Sequence, residues 1–197
     1  MANQSPTVST GNNHNRIRSE THIDCAEIAA CMEERESEAD SMRIRDFSFL
    51  DAEDIKLQNT QFLEDPDHEY TRLGYDSPNR LRREIWRVRN GDLRTLLRQF
   101  PHEEPLVDQC ALWMQAFVGV FPDANHRTAV VLLREMLGEN GIPPGSWPPA
   151  RTRLARKQSH DVRARLPPIT LATIYERDAL YDVWYNFFDE ILEVPNE

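Results

Sequence analysis

The fold is decided by the stretch FPDANHRTAVVLLREMLGENG, residues 121–141. A turn at FPDA leads into a segment that is apolar nearly all round and that closes at Gly138, with Asn140 and Gly141 beyond it. A helix that is apolar on every side must be covered by protein on every side. The stretch therefore predicts a central helix, the most buried one of the fold.

A second apolar helix is predicted directly before this turn. Its apolar residues recur at i, i+1, i+4, i+8, i+11, i+12 and i+15, which makes a broad stripe on a helix of about four turns. These residues are Leu106, Val107, Cys110, Met114, Phe117, Val118 and Phe121. This helix is expected to pack in the core.

The rest of the chain predicts further helices and one long irregular segment. Amphipathic patterns indicate helices within residues 47–63, 79–88 and 93–100, and a final helix is marked by Leu180, Trp184, Phe187, Phe188 and Ile191. Residues 141–168 contain six prolines and no clear period, so a long loop or a set of short turns is expected there. Convincing strand alternation is absent, and the fold class is therefore mostly α.

Three regions are expected along the chain. Residues 1–20 are rich in Asn, Ser and Thr and have almost no apolar side chains, which predicts a disordered arm. Residues 21–70 are expected to form a helical N-terminal extension, with a short helix beginning near Asp24. Residues 71–194 are expected to form the main helical domain.

The composition predicts a cytoplasmic protein without membrane contact. No apolar run reaches the roughly 18 to 20 residues that cross a bilayer, and the polar start lacks the apolar stretch of a secretory signal. Cys25, Cys31 and Cys110 match no zinc or redox spacing, so reduced thiols and no cysteine metal site are expected. The net charge of −10, with arginine supplying nearly all positive charge, would suit a halophilic, high-salt cytoplasm.

The positive charge is concentrated in two segments of an otherwise acidic chain. Residues 75–100 hold seven arginines and three acids, and residues 151–166 hold six basic residues and one acid, so the remainder carries −19. Two basic patches on an acidic body predict a phosphate-bearing ligand. An arginine-rich nucleic-acid-binding module that uses residues 80–98 and 151–165 is an alternative. The acidic remainder would repel a polyanion, so nucleic acid is not the favoured partner.

The turn at residues 121–127 has the chemistry of an anion site. It leads into a helix N-terminus, where unpaired backbone N–H groups and the helix dipole favour negative charge. Arg127 would add a permanent charge with a forked donor, and Asp123 is either a helix cap or a ligand for magnesium carried by phosphates. The alternative is purely structural, a helix cap and an arginine salt bridge.

The same residues resemble the signature of the Fic/Doc (Fido) family, His-x-Phe-x-Asp/Glu-Gly/Ala-Asn-x-Arg. Phe121, Asp123, Ala124, Asn125 and Arg127 fall in register with it. Downstream, the match to the Doc-like branch is extended by Thr128, Ala129, Asn140 and Gly141. The similarity covers residues 106–141 and implies a Fido-type helical bundle with a central buried helix after the signature loop.

The resemblance implies a ligand, a metal and a reaction. In that family the position of Asp123 binds Mg²⁺, the loop at Ala124, Asn125 and His126 wraps the phosphates through its backbone, and the position of Arg127 clamps a terminal phosphate. The nucleotide is ATP or another nucleotide, and AMP or a phosphate is transferred to a protein hydroxyl. The implied partners are a target protein or, as in toxin–antitoxin pairs, an antitoxin-like protein.

This sequence departs from the family at the catalytic histidine, whose position is occupied by Gly119. Glycine has no side chain and cannot accept the proton of the attacking hydroxyl, a function worth roughly 10²- to 10⁴-fold in rate. A nucleotide-binding pseudoenzyme or regulator is therefore the favoured interpretation. The alternative is a slow transferase whose base is water, a carboxylate or another histidine, with His102 and His160, both expected in loops, as candidates.

Overall fold

The computed structural model describes residues 42–65 and 78–192, which all belong to one compact unit spanning Ser37–Glu197. Seven α-helices and no strand are present in these residues. The helices are α1 (Ala52–Glu64), α2 (Pro78–Arg87), α3 (Asn90–Arg98), α4 (Leu106–Phe117), α5 (Asn125–Glu139), α6 (Pro149–Arg163) and α7 (Ala179–Leu192). The prediction of a mostly α fold is confirmed. The predicted arm at residues 1–20 and the helix near Asp24 lie outside the described residues.

The most buried helix is α4, and the prediction that α5 would be was wrong. Eleven of the twelve residues of α4 are buried, against seven of the fifteen in α5. The reason is position: α4 packs between α5 and α7, whereas Val130 and Val131 of α5 remain partly accessible. A pattern of apolar residues shows which face of a helix tends to be buried. How much of that face is buried depends on the neighbouring helices.

Helix α4 is also tied to α5 by a hydrogen bond across the core. The indole of Trp113 is completely buried, and its Nε1–H donates to the carbonyl oxygen of Ala129 at 2.9 Å. Because Ala129 is in the second turn of α5, this bond fixes the beginning of α5 against α4. The turn that joins the two helices is thereby held between two rigid elements.

The end of α5 lies one residue beyond the predicted stop at Gly138. The helix runs to Glu139, and Gly141 then adopts a left-handed conformation with φ 70°. Gly141 N–H donates to the Gly138 carbonyl at 3.0 Å, and Ile142 N–H donates to that of Leu137 at 2.9 Å. This is the double hydrogen bond of a Schellman cap, in which glycine is preferred at the left-handed position.

The expected loop at residues 141–168 is in fact interrupted by the fifteen-residue helix α6, so this prediction was wrong. The prolines of this segment are compatible with α6, because Pro149 occupies the first turn of the helix and Pro167 and Pro168 follow its end. The buried face of α6 consists of the small residues Ala155 and Ser159, which produce no visible apolar period. The helix packs on α7 through that face.

No helix in the described residues has the length and apolar character that crossing a bilayer requires. The described thiol, Cys110, is free and fully buried, and burial raises its pKa.

Candidate functional site

The turn between α4 and α5 is closed by the side chain of Asn125. The Asn125 amide accepts from the Phe121 N–H at 2.8 Å and donates to the Phe121 carbonyl at 2.7 Å. Phe121 itself is buried in the core, with 2% of its surface exposed. The side chain of Asn125 therefore shapes the loop, and any contribution it makes to a phosphate comes from its backbone.

The N-cap residue of α5, Ala124, has a left-handed backbone conformation. Ala124, the N-cap residue, has φ 58° and ψ 14°, in the left-handed region that costs a non-glycine residue about 1–3 kcal/mol. Its N–H donates to Oδ1 of Asp123 at 2.6 Å, so Asp123 shapes the turn without being the N-cap residue. The first helical bond joins Thr128 N–H to the Ala124 carbonyl, which leaves the N–H groups of residues 125–127 without a helical acceptor.

Asn59, a residue of α1, donates hydrogen bonds to this turn and to the first turn of α5. Asn59 is completely buried, and its Nδ2 donates to the carbonyl oxygen of Asp123 at 3.0 Å and to Oγ1 of Thr128 at 2.8 Å. Sequence reasoning missed this residue. The sequence did contain a signal for Asn59. This polar residue lies four residues from both Ile55 and Leu63, and therefore on the same apolar stripe of the helix.

The loop faces a cavity of about 1030 Å³ whose second wall is α6. One side is lined by Gly119 and by residues 121–127, which brings together the position that the resemblance assigns to a histidine and all of the predicted phosphate and metal residues. The α6 side is lined by Arg153, Arg156, Lys157, His160, Asp161 and Arg163. The second basic segment of the sequence therefore lies opposite the signature-like loop.

The cavity is positively charged. Among the residues that the structure describes, five cationic side chains and two carboxylates line it, a net charge of +3 with the histidines neutral. On α6, Arg153, Arg156 and Lys157 are exposed and form no hydrogen bond or ion pair with any residue that the structure describes. Arg163, by contrast, donates to the carbonyl oxygens of Leu166 and Pro167. Three cations in one wall are thus unneutralised by the described protein.

Arg127, in the first turn of α5, lines the same cavity and also packs against α1. Its guanidinium carbon lies 5.2 Å from the centroid of the Phe62 ring, a cation–π distance. Stacking of this kind restricts the orientation of a guanidinium, whose planar fork of N–H donors matches the geometry of a phosphate. The arrangement suits a group that must present a forked donor to an anion.

The side chain of His126 lines the cavity and anchors α5 to α6 through Ser159. Its Nε2 lies 3.0 Å from Oγ of the buried Ser159, and its ring packs 5.6 Å from that of Trp184. Burial, together with the neighbouring His160 and Arg156, lowers the pKa of His126 to about 3. The imidazole is therefore neutral at pH 7 and serves as a structural hydrogen-bonding group.

Of the two candidate replacement bases, only His160 lies in the cavity. It is on α6, not in a loop as expected, and its exposed ring meets the ring of His126 edge to face at 4.6 Å. Burial of part of the ring and the charge of Arg156 lower the pKa of His160, which favours the neutral form that can accept a proton. His102 follows α3, where it stacks on Phe47 at 4.9 Å and lines a different surface depression.

The donor set fits a magnesium ion that is carried by phosphates. Mg²⁺ is usually held by one or two carboxylates together with phosphate oxygens and water, and Asp123 and Asp161 line the cavity. A site made of protein ligands alone is not formed in the described part of the chain, where no three His, Cys, Asp or Glu side chains cluster. Any magnesium here would depend on the bound phosphate.

Neither a protein-family model, nor a curated protein, nor a solved structure matches this chain. In the residues that the structure describes, the fold is all-helical and has a cationic cavity at a helix N-terminus. The Fic/Doc resemblance stays a prediction that rests on residues 106–141.

Proposed function

We propose that the protein binds the phosphates of a nucleotide between the loop at residues 121–127 and α6. It would act as a Fic/Doc-type regulator, directed at an unidentified target protein or antitoxin-like partner. The observation that carries the proposal is the set of unneutralised cations, Arg153, Arg156 and Lys157, facing the N-terminus of α5 across one cavity.

Each wall supplies a different kind of contact to an anion. The α5 wall offers backbone N–H groups at a helix N-terminus, which bind phosphate oxygens directly and are aided by the helix dipole. Arg127 adds a forked donor beside them, and α6 adds mobile point charges and guanidinium groups. When a phosphate binds, Asp123 would hold its magnesium ion and so lower the repulsion between this carboxylate and the phosphate.

The same geometry argues against efficient transfer by the family's usual route. Gly119 lines the cavity, and no atom lies within 4 Å of the place where its Cβ would be. The position therefore offers space and no proton acceptor. Binding without rapid transfer is the behaviour expected of a regulator.

Replacing Arg127 with alanine is expected to weaken ATP or ADP binding by about 1.5–3 kcal/mol, the value of a hydrogen bond to a charged group. This corresponds to roughly a 10- to 150-fold increase in Kd, measurable by calorimetry. Arg134→Ala is the matched control, because Arg134 is an arginine of the same helix that stacks on Trp147 and does not line the cavity. Equal nucleotide affinity of wild type and Arg127→Ala would remove Arg127 from the site.

A slow protein-hydroxyl transferase is a second candidate function, and the position of His160 in the cavity favours it. In that reaction a hydroxyl oxygen bonds to a phosphorus of ATP while the bond from this phosphorus to its bridging oxygen breaks. The released phosphates retain that bond's electron pair, and the imidazole of His160 takes the hydroxyl proton. The cations of the two walls would stabilise the charge that develops on the leaving phosphates.

His160→Gln is expected to lower such a transfer by about 10²-fold or more while ATP binding is retained, because glutamine cannot act as the base. Intact-mass spectrometry with ATP and magnesium measures the self-modification, and calorimetry measures the binding. His102→Gln is the control outside the cavity. A wild-type protein that gains no mass, or a His160→Gln variant that is as fast as wild type, excludes His160 as the base.

A further inference from the structure

The cationic side chains of α6 form a row that is longer than one phosphate group. Arg153, Arg156, Lys157 and Arg163 all line the cavity and recur at spacings that place them on one side of the helix. From the first to the last the helix rises roughly 15 Å, at about 1.5 Å per residue. A single phosphate at the N-terminus of α5 would meet only part of this row.

The charge of the cavity also exceeds what one phosphate would neutralise. The described part of its lining carries a net +3, and Arg156 and Lys157 are adjacent like charges without a partner in the described residues. Cations placed side by side repel each other, and a ligand that brings several negative charges relieves this repulsion. A chain of several phosphates would span more of this row, and neutralise more of its charge, than a single phosphate would.

The accessible part of the lining offers little to a nucleobase. The largest apolar side chains that line the described cavity, Val118 and Phe121, are buried, with 7% and 2% of their surface exposed. The imidazole of His126 is 8% exposed and engaged by Ser159, so the one accessible aromatic ring among the described lining residues is that of His160. Sites that select an organic group are lined mainly by accessible apolar and aromatic side chains, and here the accessible residues are mostly charged.

We infer that the cavity recognises a chain of several phosphates and does not discriminate the nucleobase attached to it, so that its ligand class is oligophosphates. This inference rests on the proposed phosphate-binding function and narrows it. ATP, GTP and inorganic tripolyphosphate then occupy the same site, held by Arg127 and the N-terminus of α5 at one end and by the row on α6 along the chain.

Competition calorimetry at one salt and one magnesium concentration tests the inference. ATP, GTP and tripolyphosphate are expected to bind within about threefold of one another. AMP is expected to bind at least about tenfold more weakly, because it lacks two of the phosphates that make charge-assisted contacts. The double variant Arg156→Gln, Lys157→Gln is expected to weaken the three strong ligands by a similar factor, about tenfold or more.

Arg151→Gln is the matched control, because Arg151 is on the same helix, is paired with Glu190 at 2.9 Å and does not line the cavity. Its affinity for all three ligands is expected to equal that of wild type. An equal loss in Arg151→Gln and in the double variant would show a non-specific charge effect and would overturn the role of the α6 row.

Four other results would overturn the inference in distinguishable ways. Binding of ATP without binding of tripolyphosphate would show recognition of the nucleoside, and the proposed nucleotide-binding function would stand. The same conclusion would follow if His160→Ala weakened ATP and GTP but not tripolyphosphate, since its ring would then stack on the base. Failure of every phosphate to bind would contradict both proposals. A short RNA that displaces tripolyphosphate at a lower concentration than ATP does would show that the row on α6 binds nucleic acid.

Discussion

Gly119→His is expected to raise ATP-dependent modification of a protein hydroxyl by roughly 10²- to 10⁴-fold, the contribution of a well-placed general base. Gly119 lines the same cavity as Arg127, and an added Cβ would meet no atom within 4 Å. The loop and its arginine already supply phosphate positioning, and the missing contribution is removal of the hydroxyl proton. Self-modification with ATP and magnesium, followed by intact-mass spectrometry, measures the gain.

The backbone conformation of Gly119 determines which control variant is needed. Gly119 has φ +102°, a conformation that side chains rarely adopt, so any replacement is expected to cost about 1–3 kcal/mol or to shift the turn. Gly119→Ala carries the same strain without a base, and the two variants are therefore compared with each other at a temperature where both are folded. Thermal unfolding of both identifies that temperature.

The comparison has two outcomes that contradict the expectation. A wild-type protein that modifies itself as fast as Gly119→His already contains a base, and the pseudoenzyme interpretation is then wrong. A Gly119→His variant that binds ATP as wild type does but transfers no faster than Gly119→Ala shows that the turn does not aim position 119 at the phosphates. The family's chemistry then does not extend to this chain.

The free energy of unfolding is expected to fall by about 2–3 kcal/mol between pH 7 and pH 4.5 because of His126. Its pKa is about 3 in the folded protein and 6.5 as a model value, so the unfolded chain binds a proton throughout the interval between them and the folded chain does not. The contribution of this neutral, buried imidazole is therefore complete above pH 6.5 and is lost progressively as the pH falls toward 3. Urea unfolding at several pH values measures it.

His126→Gln isolates this contribution, because glutamine keeps a hydrogen-bonding side chain near Ser159 but does not titrate in this range. The variant is expected to be less stable than wild type at pH 7 and to show a shallower loss between pH 6.5 and 4.5. His160, whose pKa is also lowered, acts in the same direction in both proteins. The carboxyls of Asp46 and Asp51 have lowered pKa values, so their stabilising contributions are lost mainly below this interval. Parallel pH profiles of wild type and variant would show that His126 is protonated at no cost and is not buried as described.

The sequence by itself determined the features that depend on neighbouring residues. The apolar stripe at residues 106–121 became α4, which ends at Phe117, and the stripe at 180–191 became α7. The amphipathic pattern at 47–63 contains all of α1 except its last residue. The turn at residues 121–124 and the empty side-chain position at Gly119 were also visible, because turn preferences and residue types are local properties. The excess of basic over acidic residues in 151–166 was visible from the residue counts of that segment.

Only the tertiary structure decided which residues share the site. The α6 cations face the loop because α6 packs on α7 and α7 packs on α4, a chain of contacts that no local pattern encodes. The helix itself was missed because Ala155 and Ser159 form a small-residue face, whose burial depends on the neighbour that covers it. Asn59 supports the turn across 64 residues of sequence, through its bond to Asp123. His160 and Gly119 likewise line one cavity because packing brings distant segments together, and the free energy of such packing belongs to surfaces in contact and not to either segment alone.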